Sequence, residues 1–219
     1  MRNKKIKKIV IIGAGGFARE VRWLIEDINK KNKEFEFIGY VLSDLKKIKA
    51  TDSKELILGD YSWFDSINES VAVVIGVGNP KHRLRIGGEL SKIKKPIFFP
   101  NLIHPSVLYQ SSTCTFGKGI IICANTVLTV NINLGNFVMI NLSCIIGHES
   151  VIGEGTALNP FALIGGGSQI GEGVLIGTGA TILQYLSIGD FSTIGASACV
   201  TKSTASNILA LGIPAKIIS

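Results

Sequence analysis

A six-residue beat of apolar positions runs through the second half of the chain. From Phe116 a bulky or branched apolar residue recurs at every sixth position: Ile122, Leu128, Leu134, Ile140, Ile146, Ile152, Leu158, Ile164, Ile170, Ile176, Ile182, Ile188, Ile194 and Val200. No member of the series is polar. Gly often follows it, as at Gly147, Gly165 and Gly177, and a small residue sits four positions on, as at Thr126, Cys144 and Ala162. Helices repeat at 3.6 residues and strands at 2, so neither produces this beat. A β-helix does. Each hexad forms one flat side of a coil, and the apolar residues stack inside. Three sides make a coil of 18 residues, so the run from Phe116 to Val200 predicts four to five coils.

The first hundred residues follow a different pattern. Lys7 to Ile12 is a continuous apolar run of the buried parallel-strand type. It leads into Gly13-Ala14-Gly15-Gly16-Phe17-Ala18, which fits G-x-G-x-x-G/A, and an amphipathic stretch follows with Val21, Leu24, Ile25 and Ile28 on one face. A glycine loop between strand and helix can bring backbone N–H groups onto phosphate oxygens. A packing turn without ligand is the competing reading. Phe35 to Leu42 predicts a second strand, and Asp44 just beyond it can accept a ribose hydroxyl or a base N–H. Leu56 to Leu58, Val71 to Ile75 and Pro96 to Phe99 predict three more strands. Gly76, Gly78 and Asn79 follow the fourth strand and are expected beside the Gly13 loop, where doubly wound sheets bind ligands. Arg83 on the next helix is a candidate diphosphate partner or a solvated helix face. About 100 residues suit one mononucleotide half, so a mononucleotide or sugar nucleotide fits better than NAD.

Charge divides the chain at the same place. Of the 23 Lys and Arg, 20 lie in residues 1–100 with 12 of the 16 acids, a balance of +8; residues 101–219 hold 3 basic and 4 acidic residues, a balance of −1. The expected domains are thus 1–100, a Rossmann-like α/β half, and 101–219, the β-helix. The lysines are interspersed with acids, which argues against nucleic acid as partner. No apolar run approaches the roughly 18 residues that span a bilayer. The basic start at Arg2, Lys4 and Lys5 precedes an apolar run too short for a signal peptide, so a cytoplasmic location is expected. Cys114, Cys123, Cys144 and Cys199 lack Cys-x-x-Cys spacing and read as reduced structural fillers; no metal is expected.

Candidate chemistry concentrates in one hexad. Ile146-Gly147-His148-Glu149-Ser150-Val151 holds the only histidine of the repeats, and one of the few acids follows it. His104, at the domain junction, reads as a turn histidine, with catalysis as the lesser alternative.

These features together resemble the sugar acyltransferases of the sialic acid O-acetyltransferase type, and within them the PglD-type UDP-amino-sugar N-acetyltransferases. The resemblance rests on the Gly13 to Ala18 loop, Asp44, Gly78-Asn79, Asn101 to His104, Asn141, Gly147-His148-Glu149 and the tail Gly212-Ile213-Pro214-Ala215-Lys216. It implies a left-handed parallel β-helix, a homotrimer, and acetyl-CoA lying between neighbouring helices. It implies a nucleotide sugar, UDP-linked, on the first domain at Gly13, Ala14, Gly15, Gly16, Phe17, Asp44, Gly78, Asn79 and Arg83. His148 would be the general base, strengthened by Glu149, with Asn141 in the same site. Acetyl-CoA contacts would fall at Ala157, Gly166, Thr178, Ala196 and Pro214. Phe17 stands where the family commonly has a sugar-placing histidine, and Ala157 where a second histidine contacts the thioester.

The resemblance implies direct transfer of acetyl to an amine, without an acyl-enzyme, in surface glycan synthesis. O-acetylation of a sialic-acid-like sugar is the alternative within the class. A non-catalytic trimeric scaffold that senses a nucleotide is the alternative outside it. A carbonic anhydrase of the same fold would need three histidines on zinc, and the repeats carry one. Sugar-nucleotide pyrophosphorylases have a longer first domain with a different basic signature.

Overall fold

The computed structural model describes residues 6–48 and 52–218; the basic start at Arg2, Lys4 and Lys5 lies outside them. The first part is a five-stranded parallel sheet. Its strands are β1 (Lys7–Ile12), β2 (Phe35–Val41), β3 (Ile57–Gly59), β4 (Val71–Ile75) and β5 (Ile97–Phe98), in the order β3-β2-β1-β4-β5. Helix α1 (Gly16–Lys31) joins β1 to β2, and α2 (Pro80–Leu90) follows β4. β1 and β4 are buried along most of their length, which explains their unbroken apolar runs. The strand order reverses between β1 and β4, so the loops after these strands diverge there and leave a crevice.

From Leu102 the chain winds into a left-handed parallel β-helix with three faces. The first face is built by pairs such as Ile121–Ile122, Met139–Ile140 and Ala157–Leu158. The second is built by Val127–Leu128, Ile145–Ile146 and Leu163–Ile164, and the third by Asn133–Leu134, Val151–Ile152 and Gln169–Ile170. In each pair the second residue is buried in the common core, which is the series seen in the sequence. Small buried side chains fill the corners, and their hydroxyls are used: Ser150 Oγ donates to the Gly147 carbonyl at 2.8 Å and Thr156 Oγ1 to that of Gly171 at 2.7 Å.

The helix begins before the predicted run. Leu102–Ile103 and Leu108–Tyr109 form its first two sides, but Leu102 pairs with Ile121 and Leu108 with Val127, nineteen residues on. Later coils pair residues eighteen apart, as Met139 does with Ala157. One extra residue between Tyr109 and Phe116 takes the first coil out of phase with the beat. The last turn is short instead, with Thr193 opposite Leu209.

The outward residues give each face its character. On the first face Ile121, Met139 and Ala157 are buried, packed in one cluster with Val21, Leu24 and Ile25 of α1. On the third they are mostly polar and exposed: Thr115, Asn133, Gln169 and Ser187. On the second they are mostly apolar, with Thr181 the polar member, and uncovered: Leu108 is 66% and Ile145 46% exposed.

Arg83 corrects the expectation for a diphosphate partner. Its side chain is 0% exposed and does not line the crevice. The guanidinium donates to the Ile75 carbonyl at 2.8 Å, to Val77 at 3.0 Å and to Phe137 at 2.8 and 3.1 Å. Burial lowers its pKa, but a guanidinium that donates to three carbonyls remains charged at neutral pH. Arg83 therefore fastens the end of β4 to a corner of the β-helix. Beside it Gly87 leaves room for the Phe137 ring, which a Cβ at Gly87 would meet at 2.7 Å. All four cysteines are free, and burial pushes the thiols of Cys123 and Cys144 up to about 12 and about 11, which keeps them unreactive.

Candidate functional site

The crevice after β1 and β4 is a cavity of about 440 Å³. Gly13, Ala14, Gly15 and Asp44 line it, as the sequence suggests, together with Asp52, His82 and Arg85. Gly13 has φ +95° and lies against Val77 and the Gly76 carbonyl, so only glycine fits the turn without strain. Gly15 differs. A Cβ there meets nothing within 4 Å. Its bareness keeps space open in front of the N-terminus of α1, where N–H groups and the helix dipole favour an anion.

Several predicted residues have other tasks. Asp44 accepts a hydrogen bond from the Lys46 N–H at 2.9 Å, and Asn79 caps α2 by accepting from the His82 N–H at 3.0 Å. Phe17 packs against the α1 core rather than lining the crevice. Gly16 and Gly78 also lie outside the lining. Arg85, two residues from Arg83, is the exposed guanidinium at the crevice; Glu89 holds it at 2.6 Å. A bulky side chain in the open space, introduced as Gly15→Leu, is expected to weaken nucleoside-diphosphate binding by about tenfold or more without changing the melting temperature. Calorimetric titration with UDP and GDP checks this, and unchanged affinity would move the anion elsewhere.

The second group of candidates lies on the β-helix. His148 is half exposed at the corner between the second and third faces, with Nδ1 3.6 Å from Glu149 Oε2. Two glycines in the next coil make its place. A Cβ on Gly166 would meet His148 Nε2 at 2.5 Å, and one on Gly167 would run into the Tyr185 ring. Tyr185 in turn stands edge-on to the imidazole, with centroids 6.5 Å apart. The Gly167 N–H donates to the His148 carbonyl at 2.7 Å, which fixes the backbone under the ring. The run Gly165-Gly166-Gly167, one coil below His148, was the sequence signal for this slot.

Asn141 is not beside His148 within the chain. It sits at the corner between the first and second faces, largely buried, and its Oδ1 accepts from the Leu142 N–H at 2.8 Å. Thr178 and Ala196 continue down this same corner and are exposed. Ala157 corrects the expected acetyl-CoA contact: as an outward residue of the first face it is buried with Leu24 and Ile25 of α1 in one cluster. Pro214 lies in a cavity of about 420 Å³ at the far end of the helix, which also gathers Lys202 and Lys216, two of the three basic residues in 101–219. Lys202 stands three coils below His148 on the same corner. At the usual strand spacing that is roughly 14 Å. Lys216 was legible only as part of the tail motif, and Lys202 did not stand out at all, because each is isolated until the coils stack. Among the described residues no group of His, Cys, Asp or Glu could hold a metal ion, and no helix is long and apolar enough to cross a membrane.

Comparison with known proteins agrees with this architecture. Residues 8–90 match the PglD N-terminal domain, and residues 149–184 match the bacterial transferase hexapeptide model of six repeats. No curated protein matches in sequence. Among solved structures, the acetyltransferase domain of PglB from Neisseria gonorrhoeae FA1090, in complex with acetyl coenzyme A, is 24% identical, with a TM-score of 0.85 over 98% of this chain and 100% of that one. PerB from Caulobacter crescentus, in complex with CoA and GDP-perosamine, is 23% identical, with a TM-score of 0.82 over 98% and 99%. WeeI from Acinetobacter baumannii AYE is 26% identical, with a TM-score of 0.82 over 97% and 100%.

Proposed function

We infer, from a chain whose first part is of the PglD N-terminal type and whose second part carries bacterial transferase hexapeptides, that it is an acetyl-CoA-dependent N-acetyltransferase. Its acceptor is a nucleotide-linked amino sugar, UDP-linked in our reading, destined for a surface glycan. It works in the cytoplasm as a homotrimer. The observation that carries this reading is the second face: it is mostly apolar and uncovered, and its two bounding corners hold the two halves of the candidate site.

Three triangular prisms set around an axis with this face inward bury the outward Leu108, Ile145 and Leu163. In that arrangement the corner of Asn141, Thr178 and Ala196 in each chain meets the corner of His148, Gly166 and Lys202 in the next. Acetyl-CoA would lie in the cleft between them, with its phosphates toward Lys202 and Lys216 and its thioester toward His148. The ligands of the PglB domain and PerB support the donor and the acceptor class.

The chemistry is direct. The amine attacks the thioester carbonyl, a C–N bond forms, and the C–S bond breaks to release CoA. His148 takes the proton that the amine must lose. Among the described residues the Gly166 N–H has no backbone partner, so it is free to hold the oxyanion.

Two measurements test the reading. Purified protein is expected to release free thiol from acetyl-CoA with a UDP- or GDP-linked 4-amino sugar, and not with free or CMP-linked sialic acid. Release only with the sialic acids would favour O-acetylation, and release with neither would favour a scaffold. For the shared site, His148→Ala and Thr178→Trp chains are each expected to be inactive alone. Co-assembled in equal amounts they should regain about a quarter of wild-type activity, since each cleft draws its two corners from different chains. No recovery would mean a site within one chain.

A further inference from the structure

Resting on the acetyltransferase reading, we propose that the cavity between α1 and the first three coils is the subsite for the acceptor sugar ring, with Trp23 as its stacking platform and Glu20 as its polar anchor. The cavity holds about 150 Å³ and is distinct from the crevice at the glycine loop. Glu20, Trp23 and Asp27 line it from α1, and His104, Cys123 and Leu142 from the β-helix.

The lining is mostly apolar, with Glu20, Asp27 and His104 as its polar side chains. Trp23 is 54% exposed although it stands at the mouth of a cavity. An indole face left partly in water suits the C–H face of a pyranose, which is apolar while the ring's edge carries hydrogen-bonding groups. The carboxylate of Glu20 is exposed and, among the described residues, has neither an ion pair nor a hydrogen bond. It can accept from the ring's edge. Asp27 cannot serve in the same way. Lys30 lies at 2.6 Å from its Oδ1, and His104 Nε2 at 3.4 Å from its Oδ2. His104 is itself held, since its Nδ1 accepts from the Ser106 N–H at 3.0 Å. These groups form a fixed floor and leave Glu20 as the free anchor. An aromatic face beside a carboxylate also favours a sugar bearing an ammonium group over one with hydroxyls alone.

The position fits a sugar nucleotide. α1 begins at Gly16, in front of the anion-favouring loop. At the helical rise, Glu20 and Trp23 lie roughly 6–10 Å farther along its axis, one sugar ring beyond a diphosphate. On the other side, His104 and Cys123 precede Asn141 on one corner, and Leu142 follows Asn141 directly. The cavity thus lies between the crevice and the corner where we place the chemistry.

The test separates this subsite from the function it rests on. Trp23→Ala and Glu20→Gln are expected to weaken binding of a nucleotide-linked 4-amino sugar by about tenfold or more. Binding of the nucleoside diphosphate alone, and of acetyl-CoA, should not change. A second measurement needs no change in the subsite. Trp23 and Trp63 are the two tryptophans, so Trp63→Phe leaves Trp23 as the sole reporter. Its fluorescence should shift with the nucleotide amino sugar and stay constant with the nucleoside diphosphate. If wild-type protein turns over the amino sugar while both variants bind it normally, or if the fluorescence ignores the sugar, the subsite is overturned and the acetyltransferase reading stands. If wild-type protein acetylates no nucleotide sugar, both fall.

Discussion

His148→Ala is expected to lower kcat by about 100-fold or more. Acetyl-CoA affinity and assembly mass should stay near wild type, because in the proposed reaction the imidazole acts on a proton that moves only as the amine attacks. The surroundings support a local effect. His148 is half exposed and packs in a slot that Gly166 leaves open, so its removal breaks no core contact. Glu149→Ala should cost much less. Its carboxylate is 3.6 Å from Nδ1 and more than half exposed, a separation and exposure at which a charge pair is weak. Steady-state kinetics with one amino-sugar acceptor decides the matter. Retention of more than about half of wild-type kcat would exclude His148 as the base. Gly166→Ala provides an independent check, since its methyl group would displace the ring and should lower kcat while the fold persists.

The second large effect is on stability. Arg83→Ala is expected to destabilise the protein by about 3 kcal/mol or more, because it strands two buried carbonyls and a part-buried third and opens a void. Those carbonyls belong to β4, the loop after it and a corner of the β-helix, so the loss should loosen one domain from the other. Denaturant unfolding should show the lower midpoint, and limited proteolysis should cut first between residues 98 and 102. A loss below about 1 kcal/mol would mean that water satisfies the carbonyls.

Arg83 also shows what the sequence made readable. Arg83, Ile86, Gly87 and Leu90 recur at helical spacing and are all buried. The pattern thus assigned Arg83 to the inner face, but its charge drew the reading toward a phosphate. The hexad beat was plain because every member obeys one steric demand, a branched side chain inside a narrow coil. The first coil escaped notice because a single inserted residue shifts its phase. Ala157 was misplaced for another reason. A hexad count says which residues point out, but not which of three faces another domain will cover. The outward residues themselves carried that information: mostly apolar on the covered and on the bare face, mostly polar on the third. The partnership of His148 with Gly166 and Lys202 follows from stacking at eighteen residues, whereas Asn141, only seven residues away, lies around a corner.

The three-faced winding also sets how this chain can change in length over time. Inserting or deleting eighteen residues within the regular coils leaves every downstream residue on its own face, one storey higher or lower. Inserting six would rotate everything downstream by one face. If that happened above His148, it would carry the histidine to the corner beside α2 and turn the polar outward residues of the third face toward α1. Relatives that keep the activity should therefore differ in whole storeys, added below the level of His148, where only the reach to the basic end would alter.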